Sequence, residues 1–307
     1  MIVALSGGIG GAKLALGLSR VLPAGELIVV ANVGDDFDHL GFAISPDIDT
    51  LTYTLAGLDN AELGWGRRDE TWSFMDSLAA IGGETWFRLG DRDLALHVER
   101  TRRLANGETL SAITRDFCRR LGAAARILPV TNDRVRTRLN TNEGWMDFQP
   151  WFVGRRAEPA VRELAFAGAA TARAAPDVLA ALAQTDAIVI CPSNPFISIE
   201  PMLAIPEMEA ALRDARAPVV AVAPIIGGRA VKGPTAKMMG ELGTAPSARA
   251  VAERYGRLLS VYVADEADAG TLDGLGCRVV FAPTLMTTLA DKEALARIVL
   301  RAAAEAR

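Results

Sequence analysis

The stretch Ile2-Val3-Ala4-Leu5-Ser6-Gly7-Gly8-Ile9-Gly10-Gly11-Ala12-Lys13-Leu14 decides the fold of this 307-residue chain. An apolar run breaks into four glycines and then resumes with the spacing of a helix. We expect a strand over residues 2–5, a glycine turn, a helix from about 11 to 21, and a second strand over 27–31. This is the beginning of a βαβ unit, in which such a turn commonly holds a phosphate.

The last third of the chain has the same character. Continuous apolar runs at residues 187–191, 218–222 and 261–263 are separated by helical patterns. Strands that are apolar along their whole length, and that alternate with helices, are typical of a parallel sheet covered on both faces. We therefore predict an α/β fold with a mostly parallel sheet and helices on both faces, formed by residues 1–60 and 160–307.

The middle of the chain, residues 61–159, has a different pattern and is predicted to be an inserted subdomain. Helical periodicity recurs in three successive segments, and two extended segments flank the turn Asn142-Glu143-Gly144. The predicted helices are 70–82, 91–106 and 109–122, and the predicted antiparallel hairpin pairs 135–141 with 145–153.

The glycine turn fits neither of two common nucleotide-binding motifs. Counted from Gly8, the dinucleotide pattern G-x-G-x-x-G places Lys13 where the third glycine belongs, and Leu14 stands where a P-loop has serine or threonine. The glycines still let backbone amides approach an anion at the positive end of the following helix. Two interpretations stay open: a phosphate-binding turn, or a tight turn in which the glycines serve packing alone.

Composition narrows the classes of function. The 33 basic and 37 acidic side chains are well mixed, which argues against general nucleic-acid binding. The N-terminus enters an apolar strand without a basic leader, and no apolar run approaches the length of a membrane span, so we expect a cytoplasmic protein with no membrane partner. Three widely spaced cysteines suit a reducing compartment, and two histidines leave little for a zinc site or a histidine-based triad.

A group of carboxylates follows the second predicted strand: Asp35, Asp36, Asp38, Asp47 and Asp49. Open α/β sheets bind ligands just beyond the carboxyl ends of their strands, and Mg²⁺ prefers one or two carboxylates together with phosphate oxygens and water. We expect Asp35, Asp36, Asp47 and Asp49 to be available for a magnesium ion. For Asp47 and Asp49 a second interpretation is equally open, namely capping of a helix that starts near residue 48. Asp38 is expected in a solvated loop.

Further polar clusters follow apolar segments. Arg92 lies between two aspartates after a glycine, where a guanidinium either pairs with its neighbours or clamps a phosphate or carboxylate. Ser193-Asn194 and Lys232-Gly233 follow predicted strands and are expected to face the same crevice. The tryptophans lie in or near the insertion, and one or two of them are expected to form a flat wall for an aromatic ligand.

These motifs occur in a fixed order along nearly the whole chain. They are Ser6-Gly7-Gly8-Ile9-Gly10-Gly11, Gly34-Asp35-Asp36, Ser45-Pro46-Asp47-Ile48-Asp49-Thr50, Gly64-Trp65-Gly66, Leu89-Gly90-Asp91-Arg92-Asp93, Ile127-Leu128-Pro129, Phe148-Gln149, Pro192-Ser193-Asn194-Pro195, Pro224-Ile225-Ile226-Gly227-Gly228, Lys232-Gly233-Pro234 and Thr284-Leu285-Met286. In that order they resemble the 2-phospho-L-lactate transferase family. The resemblance implies a Rossmann-like core with an inserted helical and hairpin part, a role in coenzyme F-420 biosynthesis, dependence on magnesium (Mg²⁺) and a homodimer.

By this resemblance the protein is a phosphotransferase for substituted phosphate groups, of the EC 2.7.8 type. Its donor is a guanosine diphosphate whose terminal phosphate carries a lactyl or enolpyruvyl group. Its acceptor is the ribityl hydroxyl of the deazaflavin Fo, and GMP is released. Such chemistry needs in-line positioning and charge stabilisation more than a covalent nucleophile, so a metal, backbone amides and an arginine are the expected tools.

The resemblance also implies residue roles. Asp49 and Arg92 are the predicted catalytic residues beside the Fo tail, with Asp49 orienting or deprotonating the attacking hydroxyl. The predicted substrate-binding residues are Gly7, Gly8, Gly10, Gly11, Lys13, Asn32, Thr50, Asp91, Ser193, Asn194, Lys232 and Gly233. The predicted metal-binding residues are Asp35, Asp36, Asp47 and Asp49.

Two other classes are weighed against the transferase. A non-catalytic nucleotide-binding regulator, of the related gluconeogenesis-factor type, shares the fold and the glycine loop, and fold alone does not separate the two. The acceptor-side motifs at 47–50 and 90–93 favour the transferase. An NAD oxidoreductase ranks third, because the glycine register of the dinucleotide motif is broken.

Overall fold

The strands and helices are described from a computed structural model that covers residues 1–60, 65–231 and 233–307. The strands are β1 (Ile2–Ser6), β2 (Leu27–Ala31), β3 (Phe37–His39), β4 (Phe42–Ile44), β5 (Arg126–Pro129), β6 (Arg136–Thr141), β7 (Gly144–Asp147), β8 (Val161–Ala167), β9 (Ala187–Ile190), β10 (Val219–Val222), β11 (Ile225–Ile226), β12 (Arg229–Ala230), β13 (Val261–Ala264) and β14 (Arg278–Phe281). The helices are α1 (Gly8–Val21), α2 (Pro46–Ala56), α3 (Ser73–Ala80), α4 (Asp91–Ala105), α5 (Leu110–Leu121), α6 (Pro176–Gln184), α7 (Glu200–Leu203), α8 (Pro206–Arg213), α9 (Thr235–Glu241), α10 (Ala248–Tyr255) and α11 (Leu289–Ala304).

The centre of the described structure is a seven-stranded sheet in the order β14-β13-β10-β9-β1-β2-β5. Every neighbouring pair in this sheet is parallel. The central strands β1, β2 and β9 are buried along their whole length, as their unbroken apolar sequences require. The predicted α/β fold with a parallel sheet is therefore confirmed.

Strand β1 lies where the order of the sheet reverses. It pairs with β2 on one side and with β9 on the other, so the chain departs from the middle of the sheet in two directions. A crevice opens at such a position beyond the carboxyl ends of the strands. The loops after β1, β2 and β9, which carry the predicted phosphate and metal residues, all leave from this edge.

Several predicted elements, in the first βαβ unit and in the middle segment, need correction. The first helix begins at Gly8 rather than near residue 11, and the helix predicted over 70–82 is shorter, Ser73–Ala80. The second arm of the predicted hairpin was wrong beyond Asp147, because a π-helix, Pro150–Gly154, follows it. The third strand of this small sheet is β8, which pairs antiparallel with β6.

Strand β5 is part of the central sheet. It lies within 61–159 but pairs in parallel with β2 as an edge strand of the central sheet, with Ala31 opposite Pro129. The chain therefore leaves the sheet after β2 and returns to the adjacent position through β5. In the described ranges no helix combines the length and the apolar character needed to cross a membrane.

Candidate active site

A cavity of about 720 Å³ opens at the carboxyl edge of the sheet. Its walls come from the turn after β1, the loops after β2, β9 and β10, helices α2 and α4, and aromatic side chains of the middle segment. Cavities at this position in open α/β sheets are the usual ligand sites. The structure thus brings most of the predicted motifs to one place.

The glycine turn forms the floor of this cavity through Gly7, Gly8 and Gly10. Gly8 has a left-handed backbone, φ 65°, and a Cβ added at Gly10 would overlap the carbonyl oxygen of Pro192. Ser193 Oγ accepts the Gly7 N–H at 3.2 Å and donates to the Gly7 carbonyl at 2.8 Å. The glycines therefore let the turn after β1 pack directly on the loop after β9. The positive end of α1 points into the space that remains.

Two buried carboxylates, those of Asp35 and Asp47, face the cavity beside this turn. Asn32 holds them together, because its Nδ2 donates to Asp35 Oδ1 and to Asp47 Oδ2, both at 2.9 Å. Asp47 Oδ1 accepts the Gly8 N–H at 2.6 Å, so Asp47 caps the first turn of α1 rather than its own helix. Asn32 itself lies below the cavity surface and acts through the two carboxylates.

The pKa values of this acidic cluster reflect burial. Desolvation raises the pKa of Asp35 well above its usual range, with the neighbouring Asp47 charge as the next cause. Desolvation also raises the pKa of Asp47 to about 6, against the opposing hydrogen bonds from Asn32 and Gly8. The protein groups around Asp35 and Asp47 therefore do not by themselves neutralise the negative charge of these two carboxylates.

Asp36 stands behind the pair, and Asp38 stands apart. Asp36 accepts a hydrogen bond from Ser45 Oγ at 2.9 Å, its Oδ1 is buried without a partner among the described residues, and burial raises its pKa to about 7. Asp38 is exposed, as expected, and pairs with Arg134 at 2.8 Å, but it lies in strand β3 and not in a loop. The two carboxylates at the cavity surface, Asp35 and Asp47, supply oxygen donors of the kind that a hard divalent cation prefers.

Asp49 faces the cavity and is bound by an arginine that the sequence did not indicate. Arg100 of α4, 1% exposed, forms a bidentate ion pair with Asp49, in which Nη1 lies 3.1 Å from Oδ2 and Nη2 bonds to Oδ1. Burial alone would lower the pKa of Arg100, but the Asp49 carboxylate outweighs it and the pKa is raised. The pair fixes the position of Asp49 and joins α2 to α4.

A second set of contacts continues from Arg100 toward the cavity. Arg100 Nη1 lies 3.3 Å from His97 Nδ1, and His97 Nε2 lies 3.3 Å from Asp93 Oδ2. Tyr53 donates its hydroxyl proton to Asp93 Oδ1. Burial would raise the pKa of Asp93, but the His97 and Tyr53 contacts outweigh it and lower the pKa. Asp93, His97 and Arg100 recur at i, i+4 and i+7, so helical spacing is a signal that places them on one face of α4.

Arg92 and Asp91 do not line the cavity in the part of the chain that is described. Arg92 has an exposed side chain. Asp91 accepts hydrogen bonds from the backbone N–H groups of Ser73 and Phe74, and so anchors the start of α3. The structure therefore assigns the buried cationic position beside Asp49 to Arg100 and not to Arg92.

The remaining predicted residues divide by position. Those that line the cavity are Lys13, Thr50, Ser193, Asn194 and Gly233. Lys13 Nζ donates to the carbonyl oxygen of Met286 at 2.8 Å. Gly11 lies below the surface, where an added Cβ would overlap Ser6 Oγ. Lys232 lies outside the described residues, as does Gly64 of the Gly64-Trp65-Gly66 motif.

An aromatic wall forms part of the cavity lining. It consists of Trp65, Trp86, Phe87, Phe148 and Phe152. The rings of Trp86 and Phe87 meet edge to face with centroids 5.7 Å apart, and those of Phe148 and Phe152 stack at 5.3 Å. Such a surface suits a flat aromatic ligand.

Fold and cavity together define an α/β protein whose site combines a polar, anion-compatible lining with an aromatic one. A family model described as 2-phospho-L-lactate transferase CofD matches residues 2–284. The chain belongs to the 2-phospho-L-lactate transferase family. It is accordingly an enzyme of coenzyme F-420 biosynthesis that transfers a phospho-acid group.

Curated relatives extend over almost the whole chain. A protein named phosphoenolpyruvate transferase from Streptomyces griseus is 41% identical and covers 100% of this chain and 99% of its own length. A protein of the same name from Mycobacterium tuberculosis is 39% identical, with 97% and 96% covered. Two crystal structures of one Bacillus halodurans protein, described as a upf0052 family member, match with TM-scores of 0.62 and 0.60 at 14% identity, covering 97% of this chain and 98% of that one. At this identity the structures support the fold alone.

Proposed function

We propose that the enzyme transfers an enolpyruvyl phosphate group from a guanosine-diphosphate-linked donor to the ribityl hydroxyl of the deazaflavin Fo, with release of GMP. One observation carries the proposal: a single cavity joins the glycine turn, the buried carboxylates and the aromatic wall. A donor with two phosphates fits the first two features, and a flat tricyclic acceptor fits the third.

The choice of the enolpyruvyl over the lactyl donor rests on the relatives. Those reported above are named phosphoenolpyruvate transferase and share about two fifths of their residues with this chain. The two donors differ by a few atoms at the acid end, and the 2-phospholactyl donor is the alternative that a direct comparison has to exclude.

In the proposed reaction the acceptor hydroxyl oxygen attacks the phosphorus that carries the acid. A new P–O bond forms as the bond to the GMP phosphate breaks, GMP leaves with the bonding electron pair, and the hydroxyl proton passes to a carboxylate. The first turn of α1 binds the donor phosphates through its amides and helix dipole. Asp49, held by Arg100, orients or deprotonates the hydroxyl.

Asp35 and Asp47 would hold a magnesium ion, with Asp36 adding negative charge behind them. When bound, Mg²⁺ supplies positive charge that neutralises phosphate oxygens and orients them for displacement. Asn32 sets the spacing of the two carboxylates, and the Gly8 amide fixes the direction of Asp47. The metal prediction for Asp49 is dropped from this proposal, because the Arg100 guanidinium already pairs with its charge and disfavours a second cation beside it.

The magnesium site is tested by replacing Asp47 with asparagine. Mg²⁺ binding to the folded wild type should raise its melting temperature, since a ligand of the native state stabilises it. Asp47→Asn should lose most of that rise, whereas the control Asp38→Asn, an exposed acid of strand β3, should keep it. An equal Mg²⁺ response in both variants would exclude Asp47 as a ligand.

The reaction is tested by mass spectrometry of the product formed from Fo with each guanosine-diphosphate-linked donor. We expect a product heavier than Fo by the enolpyruvyl phosphate group, together with GMP. Stabilisation by GDP or GMP with Mg²⁺, but not by NAD, should accompany it. Stabilisation by guanine nucleotides with no product from either donor would instead indicate the regulatory class of protein.

We also propose that the enzyme works as a homodimer, on the strength of the family resemblance. Sedimentation velocity at micromolar concentration measures the assembly directly. A species with the mass of one 32.6 kDa chain at all concentrations would contradict this proposal.

A further inference from the structure

The contacts around His97 identify a positioning role outside the predicted residues. His97 is 1% exposed and lies between a cation and a carboxylate, with Arg100 Nη1 3.3 Å from Nδ1 and Asp93 Oδ2 3.3 Å from Nε2. A guanidinium has donors only. Nη1 also donates to the Ala43 carbonyl at 3.2 Å and to Asp49 Oδ2 at 3.1 Å. In its hydrogen bond with His97, Nδ1 is the acceptor, which leaves the ring proton to Nε2.

This tautomer places the histidine proton near Asp93 Oδ2, which lies 3.3 Å from Nε2, although Nε2 makes no hydrogen bond among the described residues. The other Asp93 oxygen accepts the Tyr53 hydroxyl, so side chains from two helices contact the carboxylate. Asp93 keeps 15% of its side chain exposed and lines the cavity, whereas the His97 side chain is 2% exposed. Asp93 is the member of this network that a ligand can touch.

Asp49 and Asp93 face the same end of the cavity as a pair. Ligand atoms from Asp49, Asp93 and His97 lie within 4.8 Å of one another. Two carboxylates at that distance repel each other, and the structure offsets the repulsion with the Arg100 guanidinium on one and with the Tyr53 hydroxyl and the nearby His97 ring on the other. Arg100 contacts both Asp49 and His97, so one side chain sets the geometry of both carboxylates.

We propose that Asp93 and Asp49 together hold the attacking hydroxyl of the acceptor, and that His97, fixed by Arg100 as the Nε2–H tautomer, is the positioning residue for Asp93. The hydroxyl part of this inference rests on the proposed function. The tautomer part rests on the geometry alone. The two parts are tested by separate measurements.

The tautomer is read from the ¹⁵N NMR spectrum of histidine-labelled protein at neutral pH. The chain has two histidines, His39 and His97, so His39→Gln assigns the second set of signals. We expect His97 to show a proton on Nε2 and an unprotonated, downfield Nδ1. A proton on Nδ1, or on both nitrogens, would overturn the inference whether or not the enzyme transfers to Fo.

The positioning role is tested with a matched pair of variants. The amide nitrogen of glutamine reaches the place of Nε2 and that of asparagine the place of Nδ1, so His97→Gln keeps the donor to Asp93 and His97→Asn removes it. We expect His97→Gln to stay close to wild type and His97→Asn to lose about tenfold to a hundredfold in kcat/KM for Fo, the range for one hydrogen bond to a charged group. The KM for the guanosine donor should be unchanged in both.

The outcomes separate the two proposals. Equal activity of the two variants, or a better asparagine than glutamine, would overturn the positioning role, since a role in packing alone does not distinguish the amides by the place of their nitrogen. Asp93→Asn gives a second measurement, with a loss expected in kcat/KM for Fo and no change in donor binding. A wild-type enzyme that binds guanine nucleotides but never modifies Fo would instead refute the proposed function. The ¹⁵N NMR spectrum would still decide the tautomer of His97 in that case.

Discussion

Replacing Arg100 with methionine tests the ion pair that links α2 to α4. The guanidinium is 1% exposed and Asp49 is 5% exposed, so Arg100→Met leaves a carboxylate charged and unpaired in the interior. Breaking a buried pair by removing one partner costs about 3–5 kcal/mol. For a chain of this size the melting temperature should fall on the order of 10 °C. Thermal and urea unfolding followed by circular dichroism measure the change.

A double-mutant cycle separates the pair from simple loss of packing. Asp49→Asn alone leaves the Arg100 charge unpaired, and the double variant removes both charges. We therefore expect the double variant to lose less than the sum of the single variants, with a coupling of about 2 kcal/mol. Arg102→Met on the exposed side of α4, where Arg102 pairs with Glu99 at the surface, is the matched control and should leave the melting temperature unchanged. Additive single losses would refute the argument that the ion pair stabilises this interface.

Two further predictions concern the glycine turn and the thiols. Gly10→Ala should destabilise the protein by about 1–3 kcal/mol and lower its affinity for the donor, because the new methyl group overlaps the Pro192 carbonyl. The control Gly240→Ala, with open space at its Cβ, should change neither quantity. Calorimetry measures the stability and titration measures the donor affinity, and equal effects of the two variants would contradict the packing argument. Iodoacetamide at pH 8 should alkylate Cys277 well before Cys191, since burial raises the Cys191 pKa to about 12 and excludes the reagent. Peptide mass spectrometry gives the order of labelling. Faster labelling of Cys191 would contradict this prediction and show that the core opens.

The sheet was predictable because most of its strands are continuous runs of apolar residues, which the sequence shows directly. The predicted apolar runs 2–5, 27–31, 187–191, 218–222 and 261–263 became parallel strands within about one residue at each end. The hairpin arm over 145–153 failed for a specific reason: the apolar pattern continues through Trp151 because that side chain packs in the core from a π-helix, not from a strand. The pattern of apolar residues shows which side chains are buried, and a buried side chain can belong to a strand or to a π-helix.

The acidic half of the site was predictable and the cationic half was not. Asp35 and Asp47 follow strand ends and a helix start, so topology alone places them at the cavity. Arg100 is 51 residues from its partner Asp49, in a helix rich in charges that is expected to be solvated. Arg92 was favoured by its neighbours in sequence, but the course of α4 leaves its side chain exposed and turns the face with Asp93, His97 and Arg100 inward.

Strand β5 has a consequence for how the chain folds and how it can be cut. Pairing Ala31 with Pro129 has to wait until the segment between them has closed a long loop, so β5 joins the sheet late. Until it does, β2, whose sequence Leu-Ile-Val-Val-Ala is wholly apolar, presents a bare edge that another chain can extend into an aggregate. A truncated protein that lacks 61–159 would therefore expose the unpaired edge of β2 permanently, whereas a truncated protein that keeps β5 would have this edge paired.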